Sequence, residues 1–235
     1  MRKPHFTTGL RSCATALGML LISGCGSLLH KAEPPPQVYS LESAPELTAA
    51  ITPLSRAASA LTVIINPPRA APGYDSQHIV YVELAHERKY FAHNEWVAPP
   101  ARMLLPIMIA ALVHTGSFRA VAPMTSGIAG DLRLDSEILR LQHEFGSAPS
   151  RVRFTLRVTL SDTATRQVLA SREFEKSVAS AHENPYGGVV AANRAVQEVT
   201  AQVASYCAQV AASWRAENHI APRLGGQRSN STKEN

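Results

Sequence analysis

The chain contains little cysteine and no long hydrophobic run, and each shortage excludes a class of protein. Only three of the 235 residues are cysteine, which excludes a disulfide-rich scaffold. No apolar stretch reaches the roughly 20 residues that a membrane-spanning helix requires. The motifs that mark nucleotide binding, serine hydrolysis and zinc binding, such as G-x-S-x-G and H-E-x-x-H, are missing. The sequence therefore contains no local pattern that predicts an enzyme.

The charge pattern does not indicate a nucleic-acid binder, although the formal net charge is +5. Residues 1–24 contain three basic residues and no acidic one, so the rest of the chain carries a net charge of only +2. The remaining basic residues are interleaved with acidic ones, whereas a nucleic-acid interface concentrates them in a patch or stripe. We therefore expect no nucleic-acid partner.

Residues 1–24 have the composition of an export signal. Three basic residues precede an apolar segment of about ten residues, which is too short to span a bilayer. The sequence Leu21-Ile22-Ser23-Gly24-Cys25 then resembles a bacterial lipoprotein signal. In such signals the cysteine receives diacylglycerol, the chain is cut before it, and the new amine is acylated, for example with palmitate. An ordinary secretory signal with a chance cysteine is the alternative.

Lipoprotein sorting adds an expectation about location. By resemblance to sorting in Gram-negative bacteria, Gly26 rather than Asp after the lipidated cysteine favours the outer membrane. Three acyl chains hold a protein far more firmly than one. We therefore expect a lipid-anchored protein whose body lies in the periplasm.

Composition divides the mature chain into three parts. Residues 25–37, which include three consecutive prolines, predict a lipidated N-terminus and a flexible tether. Residues 38–216 contain the predicted helices and strands and form a single domain. Residues 217–235 are polar and predict a disordered tail. Cys207 lies in an apolar helical pattern, which favours a buried thiol over a reactive one.

Periodicity predicts an α/β body with a mixed, partly antiparallel sheet of about five strands and two main helices. Residues 151–160 alternate apolar and polar side chains and pair with 168–174 as a hairpin. A change of parity among the leucines predicts a β-bulge near Ile138. One helix begins at Pro99-Pro100, and a second covers 189–214. A strand before the first helix and another after it favour a right-handed parallel crossover.

Three groups of polar residues could suggest chemistry, and a plainer interpretation is favoured for each. His78, His86 and His93, with two nearby glutamates, match no established metal spacing and indicate solvated loop residues. Asp131 and Asp135 would be too far apart on a strand for a tight carboxylate pair. The row Arg151, Arg153 and Arg157 could face anionic headgroups, but a solvated strand face is favoured.

The segment from Trp96 to Pro100 is the best candidate for a binding site. A tryptophan placed shortly before Pro99 and Pro100 could present an aromatic anchor to a partner. The same tryptophan could instead merely cover the end of the helix. Both interpretations remain open from the sequence.

Several short features in a fixed order carry a family resemblance. They are the lipoprotein signal, the proline-rich tether, Tyr39-x-Leu41, Ile79-Val80-Tyr81, Lys89-Tyr90, Trp96-x-x-Pro99-Pro100-x-x-Met103-Leu104, Ser117-Phe118 and Val121. Together they resemble the ABC-type transport auxiliary lipoproteins, the PqiC-like partners of MCE-type intermembrane transport systems. The resemblance covers the body from Tyr39 to about Cys207.

The resemblance implies a three-layer α/β body and a non-catalytic role in moving lipids between the inner and outer membranes. It implies an MCE-domain protein as partner and, through it, an inner-membrane ABC permease and ATPase. We expect the partner-binding residues to be Tyr39, Leu41, Trp96, Pro99 and Pro100. No metal or cofactor is expected beyond the covalent acyl and diacylglycerol groups on Cys25, and homo-oligomerisation stays open.

Two other functions compete with this one. An outer-membrane assembly lipoprotein serving lipopolysaccharide or β-barrel insertion would share the anchor but bind a barrel partner. A lipid-modifying hydrolase would need a nucleophile and a base, which can be assembled in space from residues that share no sequence motif.

Overall fold

The computed structural model describes residues 35–44 and 61–225. The strands are β1 (Gln37–Tyr39), β2 (Thr62–Ile65), β3 (Arg69–Ala70), β4 (His78–Val82), β5 (Lys89–Trp96), β6 (Ala120–Pro123), β7 (Leu132–Glu144), β8 (Arg151–Asp162) and β9 (Val168–Ala179). The helices are α1 (Pro100–His114) and α2 (Pro185–Gly225), with a short 3-10 turn at Met124–Ser126. The predicted signal peptide, Cys25, most of the tether and residues 226–235 lie outside the described residues.

The three longest strands form an antiparallel unit, with β8 between β7 and β9. Alternate side chains of β8 are buried, which is the period expected of a strand with one face in the core. The buried apolar members are Val152, Phe154, Leu156, Val158 and Leu160. The predicted hairpin of β8 and β9 is therefore confirmed.

Three short strands share the other edge of β7, and each runs parallel to it. In order along β7 they are β2, β3 and β4. Strand β6 extends the sheet from β2 in parallel, and β5 extends it from β4 in antiparallel orientation, with β1 beyond β5. Within the part of the chain that the structure describes, the result is a mixed sheet of nine strands.

A β-bulge interrupts β7 at the position that the leucine parity predicts. Ile138 pairs with Leu156 and Arg140 pairs with Thr155, so Leu139 is the extra residue. The buried positions shift from Ile138 to Leu141 across the bulge. As a consequence Arg140 faces away from the core.

Both helices pack on the buried face of β7. Ser136 lies on this face and donates to Met108 Sδ of α1 at 3.6 Å. At the other end of the strand, Gly188 of α2 lies against the ring of His143, where a Cβ would come within 2.5 Å of Nδ1. The alanines of α2 that face the sheet allow the helix to approach it closely. The main core lies between this sheet face and the two helices.

The predicted fold class, an α/β body with a mixed sheet and two main helices, is confirmed. Among the described residues the sheet has nine strands rather than about five, and the two-residue β3 is too short to show a period. Both helices contact the same face of β7, α1 at Ser136 and α2 at His143. The predicted parallel crossover is wrong, because β6, β2, β7 and β4 run parallel to one another, whereas β5 is antiparallel to β4 and therefore to β6.

The limits of the helices also differ from the sequence prediction. Helix α2 begins at Pro185 and continues to Gly225, beyond the predicted end at Trp214 and into the predicted tail. Helix α1 begins at Pro100, as predicted, and ends just before Gly116, whose φ of 65° is the left-handed conformation that favours glycine. Within residues 35–44 and 61–225, no helix is both long enough and apolar enough to cross a membrane.

Candidate partner-binding site

The predicted anchor Trp96 lies in the core. Its side chain is 3% exposed and lines a small internal cavity together with Ala192 of α2. Its backbone N–H donates to the carbonyl of Gln77 at 2.7 Å. Pro100 is also buried, in the first turn of α1. The expectation of an exposed aromatic anchor is therefore corrected, because Trp96 is buried beside residues of β4, β7 and α2.

Tyr39 and Leu41 attach the N-terminal segment to the same junction. Tyr39 pairs with Trp96 in the parallel ladder of β1 and β5, and its carbonyl accepts a hydrogen bond from Val97 at 2.7 Å. Leu41 is buried, and its N–H lies 3.4 Å from Met103 Sδ in α1. The structure thus brings the five predicted site residues together, but most of them are buried and join β1, β5 and α1.

Helix α2 holds the residues that follow β1 through two amide side chains. Asn193 accepts the N–H of Glu42 at 2.8 Å and donates to the carbonyl of Ser40 at 3.0 Å. Gln197, one turn later, donates to the carbonyl of Glu42 at 3.1 Å. These bonds replace the sheet partners that the segment lacks after Tyr39. The chain leading from the N-terminus is thereby fixed along α2.

An exposed groove of about 640 Å³ lies between this segment and α2. We call it the N-terminal groove, and its lining includes Val38, Tyr39, Tyr186, Val190, Asn193 and Arg194. Val38, Tyr186 and Val190 are large apolar side chains that are exposed to solvent, and the rings of Tyr39 and Tyr186 lie 6.3 Å apart. Apolar and aromatic side chains clustered on a concave surface are typical of a protein interaction site.

Sequence reasoning missed Tyr186 and Val190. The buried stripe of α2 passes through Val189, Val196 and Val199, and the two missed residues lie outside it at a spacing of four. Apolar residues at helical spacing beside a complete buried stripe indicate a second, exposed apolar strip. That signal was present in the sequence.

Two arginines of the row on β8, Arg153 and Arg157, are paired with carboxylates, whereas Arg151 donates to the hydroxyl and the carbonyl of Ser177. Arg153 forms ion pairs with Glu144 at 2.9 Å and Glu175 at 2.7 Å, and the hydrogen bonds that it donates to these two carboxylates raise its pKa. Arg157 pairs with Glu173 at 2.6 Å. Because the charges compensate across neighbouring strands, this face is not a basic surface.

The histidines that could suggest a metal site do not converge. His78 Nδ1 lies 3.6 Å from a carboxylate oxygen of Glu95, and its ring contacts Tyr90. In the part of the chain that the structure describes, no group of three His, Cys, Asp or Glu side chains is placed to hold a metal ion.

A serine and a histidine do meet in the core, at Ser150 and His143. His143 Nε2 and Ser150 Oγ are 2.8 Å apart, but Ser150 has no exposed surface. The nearby carboxylate of Glu183 accepts the backbone N–H of Ser150 at 2.8 Å and does not orient His143 through its other nitrogen. A catalytic triad needs the acid on the histidine and an accessible nucleophile. The arrangement is therefore a buried polar contact between β7 and the start of β8.

Comparison with models of known protein families identifies the family of this chain. The family model described as the ABC-type transport auxiliary lipoprotein component matches residues 39–204. The chain belongs to this family. The match begins at Tyr39, the last residue of β1, and covers the Trp96 junction and about the first half of α2.

Solved structures support the fold of this auxiliary lipoprotein. Protein XCC0632 from Xanthomonas campestris is 20% identical, with a TM-score of 0.64 over 75% of this chain and 98% of that one. A second crystal structure, of an uncharacterized protein, is 12% identical, with a TM-score of 0.57 over 74% of this chain and 99% of that one. At these identities the likeness shows the fold alone. No curated protein matches the chain significantly.

Proposed function

We propose that this auxiliary lipoprotein is a non-catalytic component of an ABC/MCE-type system that moves lipids between the inner and outer membranes. In this proposal Cys25 carries the acyl and diacylglycerol groups, and Gly26 directs the protein to the outer membrane. The body then faces the periplasm and binds an MCE-domain protein. Family membership supports the transport role, and the lipoprotein signal supports the anchor.

The observation that carries the proposed contact is the N-terminal groove. Its exposed apolar side chains belong to two elements that are fixed to each other by Asn193 and Gln197, so the groove is already formed without a partner. A preformed apolar surface binds without the cost of ordering mobile loops. The groove replaces Trp96 as the expected contact, because Trp96 is buried.

A pull-down from solubilised envelopes tests this function. The full-length protein should recover an MCE-domain protein together with ABC permease and ATPase subunits. The double variant Tyr186→Ser with Val190→Ser should reduce that recovery at least about tenfold, since exposed aromatic anchors contribute strongly to binding. A matched control changes Met124→Ser and Ile128→Ser, which are equally exposed but lie after β6.

The possible pull-down results test the proposed function and the N-terminal groove separately. Recovery of no MCE or ABC component by the unmodified protein contradicts the proposed function. Recovery of a β-barrel or lipopolysaccharide assembly component instead would favour an outer-membrane assembly lipoprotein. Full recovery of the MCE protein by the groove variant would leave the function standing and contradict the groove.

A further inference from the structure

A second concave surface lies on the outer face of β7, away from the helices. It has a volume of about 480 Å³, and its polar lining is Tyr74, His86, Glu87, Arg88, Arg140 and Gln142. Its side chains come from the connection between β3 and β4, the turn between β4 and β5, and the bulged part of β7. We call it the arginine pocket.

Two guanidinium groups of the arginine pocket face one phenol. The guanidinium carbon of Arg88 lies 5.4 Å from the centre of the Tyr74 ring. Burial raises the pKa of Tyr74, while the positive charges of Arg88 and Arg140 act on its hydroxyl in the opposite direction. The hydroxyl donates to the side-chain oxygen of Gln142. Arg88, in the turn before β5, and Arg140, in β7, therefore both lie close to the Tyr74 hydroxyl.

Arg140 faces two carboxylates, those of Glu175 and Glu144, but contacts neither closely. Its nearest carboxylate among the described residues is Glu175, at 3.7 Å. Glu175 is already engaged by Arg153 at 2.7 Å and by the hydroxyl of Thr155 at 2.8 Å. Because an exposed ion pair at this distance contributes little, Arg140 keeps most of its capacity to bind an anion.

Arg88 has no carboxylate within 4.0 Å among residues 35–44 and 61–225. Its Nη1 donates instead to the carbonyl of Pro72 at 3.0 Å. Glu87 lines the pocket, but its carboxylate lies 3.4 Å from the ammonium of Lys89. Lys89 is also paired with Glu83 at 2.7 Å, so the lining presents two guanidinium groups against the single carboxylate of Glu87, and its net charge is positive.

The backbone brings both arginines to the pocket. Gly73 has a φ of 89°, the left-handed conformation that favours glycine, and the guanidinium of Arg88 lies against it, where a Cβ would come within 2.6 Å of Nη1. The bulge at Leu139 turns Arg140 and Gln142 to the outer face of β7. The hydrogen bond to the carbonyl of Pro72 orients the guanidinium of Arg88.

We propose that the arginine pocket binds a phosphate group, either as free phosphate or in the headgroup of a phospholipid, with Arg88 and Arg140 as its direct ligands. Guanidinium groups match phosphate oxygens in charge and geometry. Two guanidiniums that approach from different directions suit a tetrahedral anion, whereas a planar carboxylate presents its oxygens in one plane. The site is separate from the N-terminal groove and does not depend on the partner proposed there.

Calorimetric titration of the full-length protein in neutral detergent tests the proposal with two probes. Inorganic phosphate represents the free anion, and glycerophosphoethanolamine represents the headgroup diester. Both should bind in low salt, with affinity that falls as sodium chloride is added. Tighter binding of glycerophosphoethanolamine assigns the pocket to lipid headgroups, and tighter binding of phosphate assigns it to the free anion.

Matched variants locate the binding. Arg88→Gln and Arg140→Gln should each weaken binding of the preferred probe about tenfold or more, because each removes a charged hydrogen-bond donor. Arg172→Gln changes an exposed arginine that stacks on Phe174 elsewhere, and it should change affinity less than about twofold. Thermal unfolding of every variant shows whether the fold is retained.

The proposal is overturned if neither probe binds the unmodified protein. It is also overturned if Arg88→Gln and Arg140→Gln bind as tightly as Arg172→Gln. If either glutamine variant fails to fold, Arg88→Lys and Arg140→Lys keep the charge but lose the planar donor set, and unchanged affinity in both would contradict direct guanidinium binding.

Discussion

His143 is a buried titratable side chain with one nitrogen that has no hydrogen-bond partner among the described residues. Its Nε2 contacts Ser150, while Nδ1 lies against Gly188 of α2. Burial lowers the pKa of His143, and the negative charge of Glu183 opposes that shift only in part. The folded protein therefore holds this ring neutral at pH 7, whereas the ring in the unfolded chain gains a proton below about pH 6.5.

The lowered pKa of His143 makes folding stability depend on pH. Below about pH 6.5 the unfolded chain binds more protons at this ring than the folded chain, so the free energy of unfolding falls as the pH falls. It levels off once the pH passes below the folded-state pKa of His143. The slope from one such group is at most about 1.4 kcal/mol per pH unit.

Urea unfolding at pH 7.5 and pH 5.5 measures this effect. We expect His143→Gln to lose less stability than the unmodified protein between the two pH values, whatever its absolute stability at pH 7.5. His182→Gln, which changes an exposed histidine, should keep the full loss. An identical loss in His143→Gln and the unmodified protein would contradict the buried neutral state.

At the scale of elements, the short strand β1 depends on helix α2 for its position. β1 has only three residues, and the chain beyond it is held by the amide groups of Asn193 and Gln197. Asn193 alone supplies one hydrogen-bond donor and one acceptor to the backbone of residues 40–42. Loss of this side chain should therefore free the N-terminal segment locally while the sheet stays folded.

Hydrogen exchange followed by mass spectrometry checks that expectation. Asn193→Ala should increase exchange in residues 38–43 and lower the local opening free energy by about 1–3 kcal/mol, the range for two lost hydrogen bonds. Peptides from β8 should exchange as in the unmodified protein. Gln202→Ala, an exposed position further along α2, serves as control. Unchanged exchange at residues 38–43 in Asn193→Ala would mean that the amide bonds do not hold the segment.

The sequence predicts the long elements better than the short ones, for a physical reason. Strand β8 shows five alternating buried residues, and the bulge at Leu139 is visible as a change of parity. β3 has two residues, and its place beside β7 follows from tertiary packing, which leaves no periodic trace. The crossover after β5 was mispredicted because the order of strands and helices along the chain does not show that β6 pairs with β2.

The candidate site was predicted in part for a related reason. The sequence analysis groups Tyr39, Leu41 and Trp96 in one predicted site, and the structure places them at one junction of β1, β5 and α1. Their burial could not be predicted, because it depends on how α2 packs over the junction. The arginine pocket was invisible for the same reason, since Arg88 and Arg140 belong to segments that are distant in sequence.

At the scale of the whole molecule, the proposed role requires the body to be fastened to a membrane through Cys25. Cys207 offers no alternative attachment, because it is buried in α2 and burial raises the pKa of its thiol to about 12. A protonated, buried thiol is neither a good nucleophile nor accessible to a modifying enzyme. Cys13 would be removed together with the signal. Acylation should therefore depend on Cys25 alone.

Single cysteine variants test the anchor. With Cys25→Ala, the protein should lose its acyl groups and leave the membrane fraction, because a single apolar body surface cannot replace three acyl chains. Cys13→Ala changes a cysteine in the same N-terminal region and should leave membrane fractionation unchanged. Mass spectrometry of the mature N-terminus should find diacylglycerol and an amide-linked fatty acid on Cys25. An unmodified N-terminus, or a Cys25→Ala protein that stays in the outer-membrane fraction, would contradict the lipid anchor.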